Sequence, residues 1–310
     1  MHNGAPRPQR PRSGRHVADP GVQRRPPPTR RLFLIVGTLI ATVVLVMSIA
    51  IAPHVFHHNG QPGTAPSERA NAAGGLATSF AAVEQSVDAD VGLVVAPVGR
   101  TGTVLTFGGW TSGPAWSTSK VPLVLAALRE PPTPTLSAAM DAAIIRSDNA
   151  AAEQVWEGLG DPPTAAGKVQ AVLRETGDPT VVQSQRIRPE FTAFGQTIWS
   201  LSDQVHFLSR AACDSRNTPL LELMNRVEDD QRWGVGAIPD ARFKGGWGPS
   251  TAGKYLVRQL GLIPAPNGTL AVALAAEPAS GSFDDGIQAL DKLAHWISSH
   301  AEQMPSGSCT

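Results

Sequence analysis

The chain has 310 residues, of which 42% are hydrophobic and 17% are charged, as is usual for a globular protein of one or two domains. The formal net charge of zero hides an asymmetry, because eight arginines and one aspartate precede residue 32 and leave 18 basic against 25 acidic residues after it. This acidic main part argues against nucleic acid as a partner, since duplex binding depends on neutralising phosphates with Lys and Arg.

The first 52 residues predict a membrane anchor. Residues 1–31 are rich in Pro and Arg, lack periodicity and are expected to form a disordered basic arm. Residues 32–52 are uncharged and mainly apolar, long enough to cross a bilayer as one helix. Because the arginines precede this run, the positive-inside rule places the arm in the cytoplasm and the rest of the chain outside. We therefore expect a single-pass protein of the cell membrane, held in the lipid bilayer, with an extracytoplasmic main domain.

Two other interpretations of this segment stay open. Residues 50–52 resemble a signal-peptidase site, but a cleavable signal has an apolar core of only about 7–15 residues, and Pro53 is a poor neighbour for cleavage. Arg30 and Arg31 resemble a twin-arginine export signal, or they simply end the span at the membrane face. Each interpretation leaves the main domain outside the cytoplasm.

Residues 53–75, which are rich in Gly, Pro, Ala, Asn and Ser, predict a flexible linker. His54, His57 and His58 lie in this linker without a cluster of Cys or carboxylate side chains. Solvated histidines therefore explain them better than a metal site. We expect neither a metal nor another cofactor.

The remaining chain alternates between helical and strand periodicity. Helices are predicted over residues 76–87, 117–129, 136–146, 149–159, 164–175, 202–212, 219–227 and 284–300. Strands are predicted over residues 91–98, 103–108, 242–247, 255–263 and 269–277. Asn267-Gly268, between the last two strands, is a strong hairpin signal, which explains this dipeptide better than the glycosylation sequon that it forms with Thr269.

This order of elements predicts a discontinuous α/β (α+β) domain over residues 76–302, followed by a tail over residues 303–310. The terminal segments are expected to build one five-stranded antiparallel sheet flanked by the first and last helices, and the middle segment an all-helical lobe. Outside the cytoplasm, Cys213 and Cys309 are expected to pair and tie the tail to the domain, the alternative being two free thiols. We expect a monomer.

The first motif with chemical meaning lies at the start of the helix predicted from residue 117. Ser117 precedes Lys120 by one helical turn, so both side chains lie on one face. A lysine that burial and nearby positive charge keep neutral can take the proton of a hydroxyl and make it a nucleophile. The alternative is an N-cap serine and a solvated lysine.

Two further motifs follow. Ser147-Asp148-Asn149 lies in a short polar loop between predicted helices, and Lys244-Gly245-Gly246 lies in a predicted strand. Ser-x-x-Lys, Ser-Asp-Asn and Lys-x-Gly, in this order, resemble the signature set of penicillin-binding proteins and class A β-lactamases. The resemblance covers roughly residue 76 to the last helix, and the fold that it implies agrees with the one predicted from the pattern.

The resemblance also implies roles for individual residues. Ser117 resembles the acylated nucleophile, Lys120 its proton acceptor, and Ser147 the hydroxyl that passes a proton to the leaving nitrogen. By the same resemblance, Asp148 holds the loop, Asn149 binds the substrate, and Lys244 polarises Ser147 and attracts a carboxylate. The backbone N–H groups of Ser117 and Trp247 form the oxyanion hole. Gly246 lets the substrate approach the strand.

The sequence departs from the family pattern at three places. Gly245 stands where the family has Thr or Ser, whose hydroxyl binds the substrate carboxylate. Arg258, on a strand face that otherwise looks buried, is a candidate to compensate, the alternative being an arginine at a sheet edge or end. Ser117 and Ser147 are only 30 residues apart, which predicts a reduced helical lobe. Glu190 matches the family's Arg-x-Glu and is a possible deacylating base, but the asparagine that should follow it is missing.

These features favour a membrane-anchored serine hydrolase that forms an acyl-enzyme with a β-lactam or with the D-Ala-D-Ala end of a cell-wall peptide. The alternative is a catalytically weak or inactive penicillin-binding or cell-wall-binding module. Gly245 favours this alternative, whereas the intact set of Ser117, Lys120, Ser147 and Lys244 argues against it. A purely structural membrane protein would leave the ordered motifs unexplained.

Overall fold

A computed structural model of the protein describes residues 66–99, 102–131 and 135–309. The predicted arm at 1–31, the predicted span at 32–52 and linker residues 53–65 lie outside the described residues. Within the described ranges, no helix combines the length and the apolar character needed to cross a membrane.

The helices and strands follow the predicted order. The helices are α1 (Pro66–Gln85), α2 (Lys120–Ala127), α3 (Ala138–Ile145), α4 (Asn149–Gly158), α5 (Pro162–Glu175), α6 (Leu201–Ala211), α7 (Thr218–Met224) and α8 (Phe283–His300). The strands are β1 (Ala89–Pro97), β2 (Leu105–Gly108), β3 (Ser112–Pro114), β4 (Ile198–Ser200), β5 (Arg242–Pro249), β6 (Tyr255–Ala265) and β7 (Gly268–Pro278).

The five long strands form the predicted antiparallel sheet, in the order β2-β1-β7-β6-β5. Both faces of this sheet are covered, so alternate side chains of one strand enter different cores. Leu93 and Leu274 pack with α1 and α8 on one face. Val94 and Ala273 pack with α2, α6 and the other lobe helices on the opposite face. The continuous apolar character of β1 and β7 follows from this double burial.

Serine and aspartate caps fix where the lobe helices begin. The Ser137 hydroxyl accepts a hydrogen bond from Met140 N, Asp148 Oδ1 accepts from Ala151 N, and Asp161 Oδ1 accepts from Thr164 N. Between Ser117 and Ser147 the described chain contains only the short helices α2 and α3. The helical lobe is thus reduced at the place where the short spacing of the two serines predicts it.

Three details differ from the predicted boundaries. Helix α1 begins at Pro66, inside the predicted linker, because its first turns are rich in the helix formers Ala, Glu and Arg. The predicted tail is part of the domain, since Gly307 forms a β-bridge with Thr269 and Cys309 forms a disulfide with Cys213. The short ribbon of β3 and β4 was not predicted.

Candidate active site

Ser117 lies in a tight turn, Trp116–Ser119, that leads into α2. The turn is closed by two hydroxyls: Thr118 Oγ1 donates to Ala115 O at 2.5 Å, and Ser119 Oγ donates to Trp116 O at 2.6 Å. Trp116 has a φ of +48°, a left-handed conformation that is uncommon outside glycine. The nucleophile candidate therefore follows a residue with backbone strain, a common feature of functional sites.

The Lys120 side chain is buried and bound to the Ser147 loop. Its Nζ donates to Ser147 O at 2.5 Å and to Asn149 Oδ1 at 2.8 Å, and lies 3.4 Å from Ser147 Oγ. Among the described residues, no hydrogen bond joins Lys120 to Ser117. The Lys120 amine is thus held by the Ser147 loop rather than by a hydrogen bond to Ser117.

Burial changes the acidity of this lysine. Loss of solvation lowers the pKa of Lys120 to about 7, although the negative charges of Asp148 and Glu153 act in the opposite direction. Near neutral pH a large fraction of Lys120 is therefore uncharged and able to accept a proton. An N-cap serine with a solvated lysine, the alternative considered for this motif, does not fit a lysine that is 1% exposed.

Ser147 joins α3 to α4 with a φ of +56°, a second left-handed residue in the site. Its hydroxyl lies 2.8 Å from Lys244 Nζ, which also donates to Gly245 O at 2.9 Å. Complete burial, and then the charge of Lys120, lower the pKa of Lys244 well below its usual value. Asp148 caps α4, and the hydrogen bond from Ala151 N–H lowers its pKa.

Strand β5 runs directly against the Ser117 turn. A Cβ at Gly246 would lie 2.9 Å from Ser117 N and from Thr118 N, closer than side-chain carbons normally approach. Glycine is therefore needed at this position for the strand backbone to pass the turn. This approach brings the N–H groups of Ser117 and Trp247, the predicted oxyanion hole, to neighbouring segments of backbone.

The space beside Gly245 is occupied by aromatic rings. A Cβ at Gly245 would lie 3.2 Å from the Trp233 ring, which packs edge-on against Trp247 at a centroid distance of 6.0 Å. The hydroxyl that the resembled family has at this position is absent, and a threonine or serine would require the Trp233 ring to shift by a few tenths of an ångström. Sequence patterns gave no sign of Trp233, because it lies outside every motif.

Arg258 does not play the substrate-binding part considered for it. Its guanidinium is fully buried and donates to Gly113 O and Pro114 O at 3.0 Å, to Trp199 O at 3.0 Å and to Gln204 Oε1 at 2.7 Å. These acceptors hold β3, β4 and α6 onto the sheet. Arg258 is thus neither a substrate ligand nor an arginine at the sheet edge, since its strand β6 lies between β7 and β5.

A cleft of about 360 Å³ opens over Ser117. Asn149 and Trp247 line it together with Ser117, whereas Lys120 and Lys244 are buried and Ser147, which is half-buried, is not among the lining residues. Glu190 also lines the cleft, but its side chain is 57% exposed and forms an ion pair with Arg188 at 3.1 Å. A carboxylate this solvated and already paired is poorly placed to activate water.

The cleft contains a second carboxylate that sequence reasoning missed. Glu153 lies one turn after Asn149 on α4, and its side chain is only 19% exposed. Its Oε1 lies 2.9 Å from Arg186 Nη2, an ion-pair contact without hydrogen-bond alignment. The i, i+4 spacing from Asn149 was a usable signal, because helix positions four apart share a face.

Comparison with solved structures places this arrangement in a known fold. The chain is similar to TLA-3 extended-spectrum β-lactamase, with a TM-score of 0.61 and 16% identity over 74% of this chain and 98% of that one. It is similar to the class A β-lactamase of Mycobacterium abscessus, with a TM-score of 0.55 and 16% identity over 72% and 99% of the two chains. It is also similar to a variant of the last common ancestor of Gram-negative class A β-lactamases, with a TM-score of 0.56 and 19% identity over 72% of this chain and 98% of that one.

No protein-family model and no curated protein sequence matches the chain. The structural likeness, at low sequence identity, shows a β-lactamase-like fold with a five-stranded antiparallel sheet and flanking helices.

Proposed function

We propose that this protein is an extracytoplasmic serine hydrolase that acts through an acyl-enzyme at Ser117, on β-lactams or on D-Ala-D-Ala-type cell-wall peptides. The observation that carries the proposal is the buried Lys120, whose pKa falls to about 7 and whose amine contacts Ser147 and Asn149 beside the Ser117 turn. A solvated lysine would remain charged at neutral pH and could not act as a base.

In the proposed reaction, neutral Lys120 takes the Ser117 proton as Oγ attacks the substrate carbonyl carbon. The N–H groups of Ser117 and Trp247 stabilise the resulting oxyanion. Ser147, held between the two lysines, then delivers a proton to the leaving nitrogen as the carbon–nitrogen bond breaks. An ester at Ser117 remains, and attack by water releases the acid.

A catalytically weak wall-binding module is the second candidate, and the aromatic packing beside Gly245 favours it. Because Gly245 carries no hydroxyl, the substrate carboxylate would depend on Lys244, which is fully buried. Such a module would form the ester slowly or not at all.

Labelling followed by intact mass spectrometry distinguishes these functions. The full-length protein incubated with a fluorescent penicillin or an activated ester should gain the mass of one acyl group. Ser117→Ala should abolish the gain, and Lys120→Ala should slow it by about 10²-fold or more. Equal labelling of wild type and Ser117→Ala would exclude Ser117 as the nucleophile.

The location is a separate proposal that rests on the arginine asymmetry around residues 32–52. Protease added to intact cells should digest the main domain and spare a tag at the N-terminus. Protection of the main domain would show the reverse topology.

A further inference from the structure

A second cavity adjoins the cleft over Ser117. This side groove encloses about 450 Å³. Trp116, Gly248 and Pro249 line both cavities, so the two lie side by side at the end of β5. A substituent on a molecule bound at Ser117 would therefore reach the side groove by passing Trp116.

The side groove gathers the exposed large apolar side chains of the described ranges, although polar residues such as Glu277 also line it. Val181, Ile187 and Ile198 are 72%, 69% and 61% exposed, and they are the large apolar side chains that stand out as exposed in the described ranges. All three line this one groove. A contiguous exposed apolar patch is unusual on a soluble domain and commonly marks a binding site.

The groove is held open by hydrogen bonds beneath it. Gln196 Oε1 accepts from Arg188 N at 2.8 Å, and Gln196 Nε2 donates to Arg188 O at 3.1 Å and to Thr192 O at 3.2 Å. The Arg188 guanidinium donates to Pro249 O and pairs with Glu190 at 3.1 Å. The segment that carries Ile187 is thus fixed before a ligand arrives, which lowers the entropic cost of binding.

Trp116 forms the boundary between cleft and groove. A Cβ at Gly248 would lie 2.6 Å from the Trp116 ring, so glycine lets the indole rest on β5. The Trp116 Nε1–H is buried and has no hydrogen-bond partner within the described chain. An unpaired buried donor is costly, so a ligand that shifted this indole and offered an acceptor at the boundary would gain a hydrogen bond.

We propose that the side groove is a subsite for an aliphatic acyl chain of the substrate whose carbonyl Ser117 attacks. The inference rests on the proposed serine chemistry. The apolar walls favour a hydrocarbon chain, and Arg188 offers no free charge to a carboxylate because Glu190 and Pro249 O engage it. A polar wall peptide would leave these walls exposed to water.

Alkylboronic acids test the subsite directly, because boron bonds reversibly to a nucleophilic serine and the alkyl group takes the place of the acyl chain. We expect octylboronic acid to bind the full-length protein at least about tenfold more tightly than ethylboronic acid, since each buried methylene contributes up to about fourfold. Ile187→Asp and Ile198→Asp should reduce this affinity ratio towards one. Thr103→Asp, which also introduces a carboxylate but at an exposed position near β2 on the opposite edge of the sheet, should preserve the ratio.

The failures are distinguishable. If both boronic acids bind wild type equally and neither binds Ser117→Ala, the serine chemistry stands and the subsite is overturned. If neither binds wild type and no activated ester labels it, the proposed function fails and the subsite with it.

Discussion

Lys120 and Lys244 meet at one hydroxyl, with their Nζ atoms 3.4 and 2.8 Å from Ser147 Oγ. Two buried ammonium groups at this spacing repel each other, so the doubly protonated state is disfavoured. When one lysine is neutral, the hydroxyl can accept a hydrogen bond from the charged lysine and donate to the neutral one. The three groups therefore form a path along which one proton can pass between the lysines.

The first prediction concerns the pH dependence of acylation. Lys120 must be neutral to accept the Ser117 proton, and its pKa is about 7. The acylation rate should therefore rise about tenfold per pH unit below pH 7 and level off above it. Stopped-flow labelling between pH 5 and 9 measures this curve. A rate that stays flat across pH 7 would contradict the role of Lys120.

The second prediction uses the same curve to test Glu153. Its negative charge favours the protonated form of Lys120, so Glu153→Gln should lower the pKa of Lys120 and move the midpoint of the curve to lower pH. Glu157→Gln, an exposed residue on the same helix, is the matched control and should leave the midpoint unchanged. Equal midpoints in Glu153→Gln and wild type would show that the charge of Glu153 does not influence the pKa of Lys120.

The third prediction concerns the fate of the acyl group. Glu190 is solvated and paired with Arg188, so Glu190→Gln should change the lifetime of a penicilloyl adduct by less than about threefold, against the 10²–10⁴-fold expected for loss of a general base. Intact mass after removal of free penicillin gives the lifetime. Rapid turnover in wild type with a trapped adduct in Glu190→Gln would instead establish a class A-like β-lactamase mechanism.

The fourth prediction is structural. Arg258→Met removes four hydrogen bonds to acceptors in β3, β4 and α6, so the free energy of unfolding should fall by about 3 kcal/mol or more. Urea denaturation measures the change. Arg226→Met, at an exposed position where the described chain forms no ion pair, should stay within about 0.5 kcal/mol of wild type.

The fifth prediction concerns the disulfide. Cys213 and Cys309 are separated by 96 residues, for which the chain-entropy relation gives about 4.7 kcal/mol of stability. Cys213→Ser and Cys309→Ser should each lower the melting temperature, and the double variant should lower it no further. An additive loss would mean that the cysteines contribute through packing rather than through their bond.

Much of the fold was predictable because the long elements carry clear periodicity. The alternating residues of β6 and β7, with Asn267-Gly268 between them, predict the hairpin, and the apolar spacing of α8 predicts the last helix. The grouping of Lys120, Ser147 and Lys244 followed from the ordered motifs. The structure places both lysine amines within hydrogen-bonding distance of the Ser147 hydroxyl.

The remaining features depend on contacts that have no local signal. Strands of three residues, such as β3 and β4, are too short for a period to show. Alternation along β6 indicates that the face of Arg258 is buried, but only the tertiary arrangement supplies its carbonyl partners. Trp233 and the side groove arise from segments distant in sequence, which no motif spacing relates.

The left-handed backbone at Ser147 has a consequence for natural variation. A non-glycine residue in this conformation costs on the order of 1 kcal/mol, and glycine or asparagine would relieve it. A related protein that no longer used the Ser147 hydroxyl would gain stability from a substitution to glycine or asparagine, whereas a protein under selection for acyl transfer would have to keep the serine. The residue at this position in related proteins should therefore indicate whether each of them still performs the chemistry.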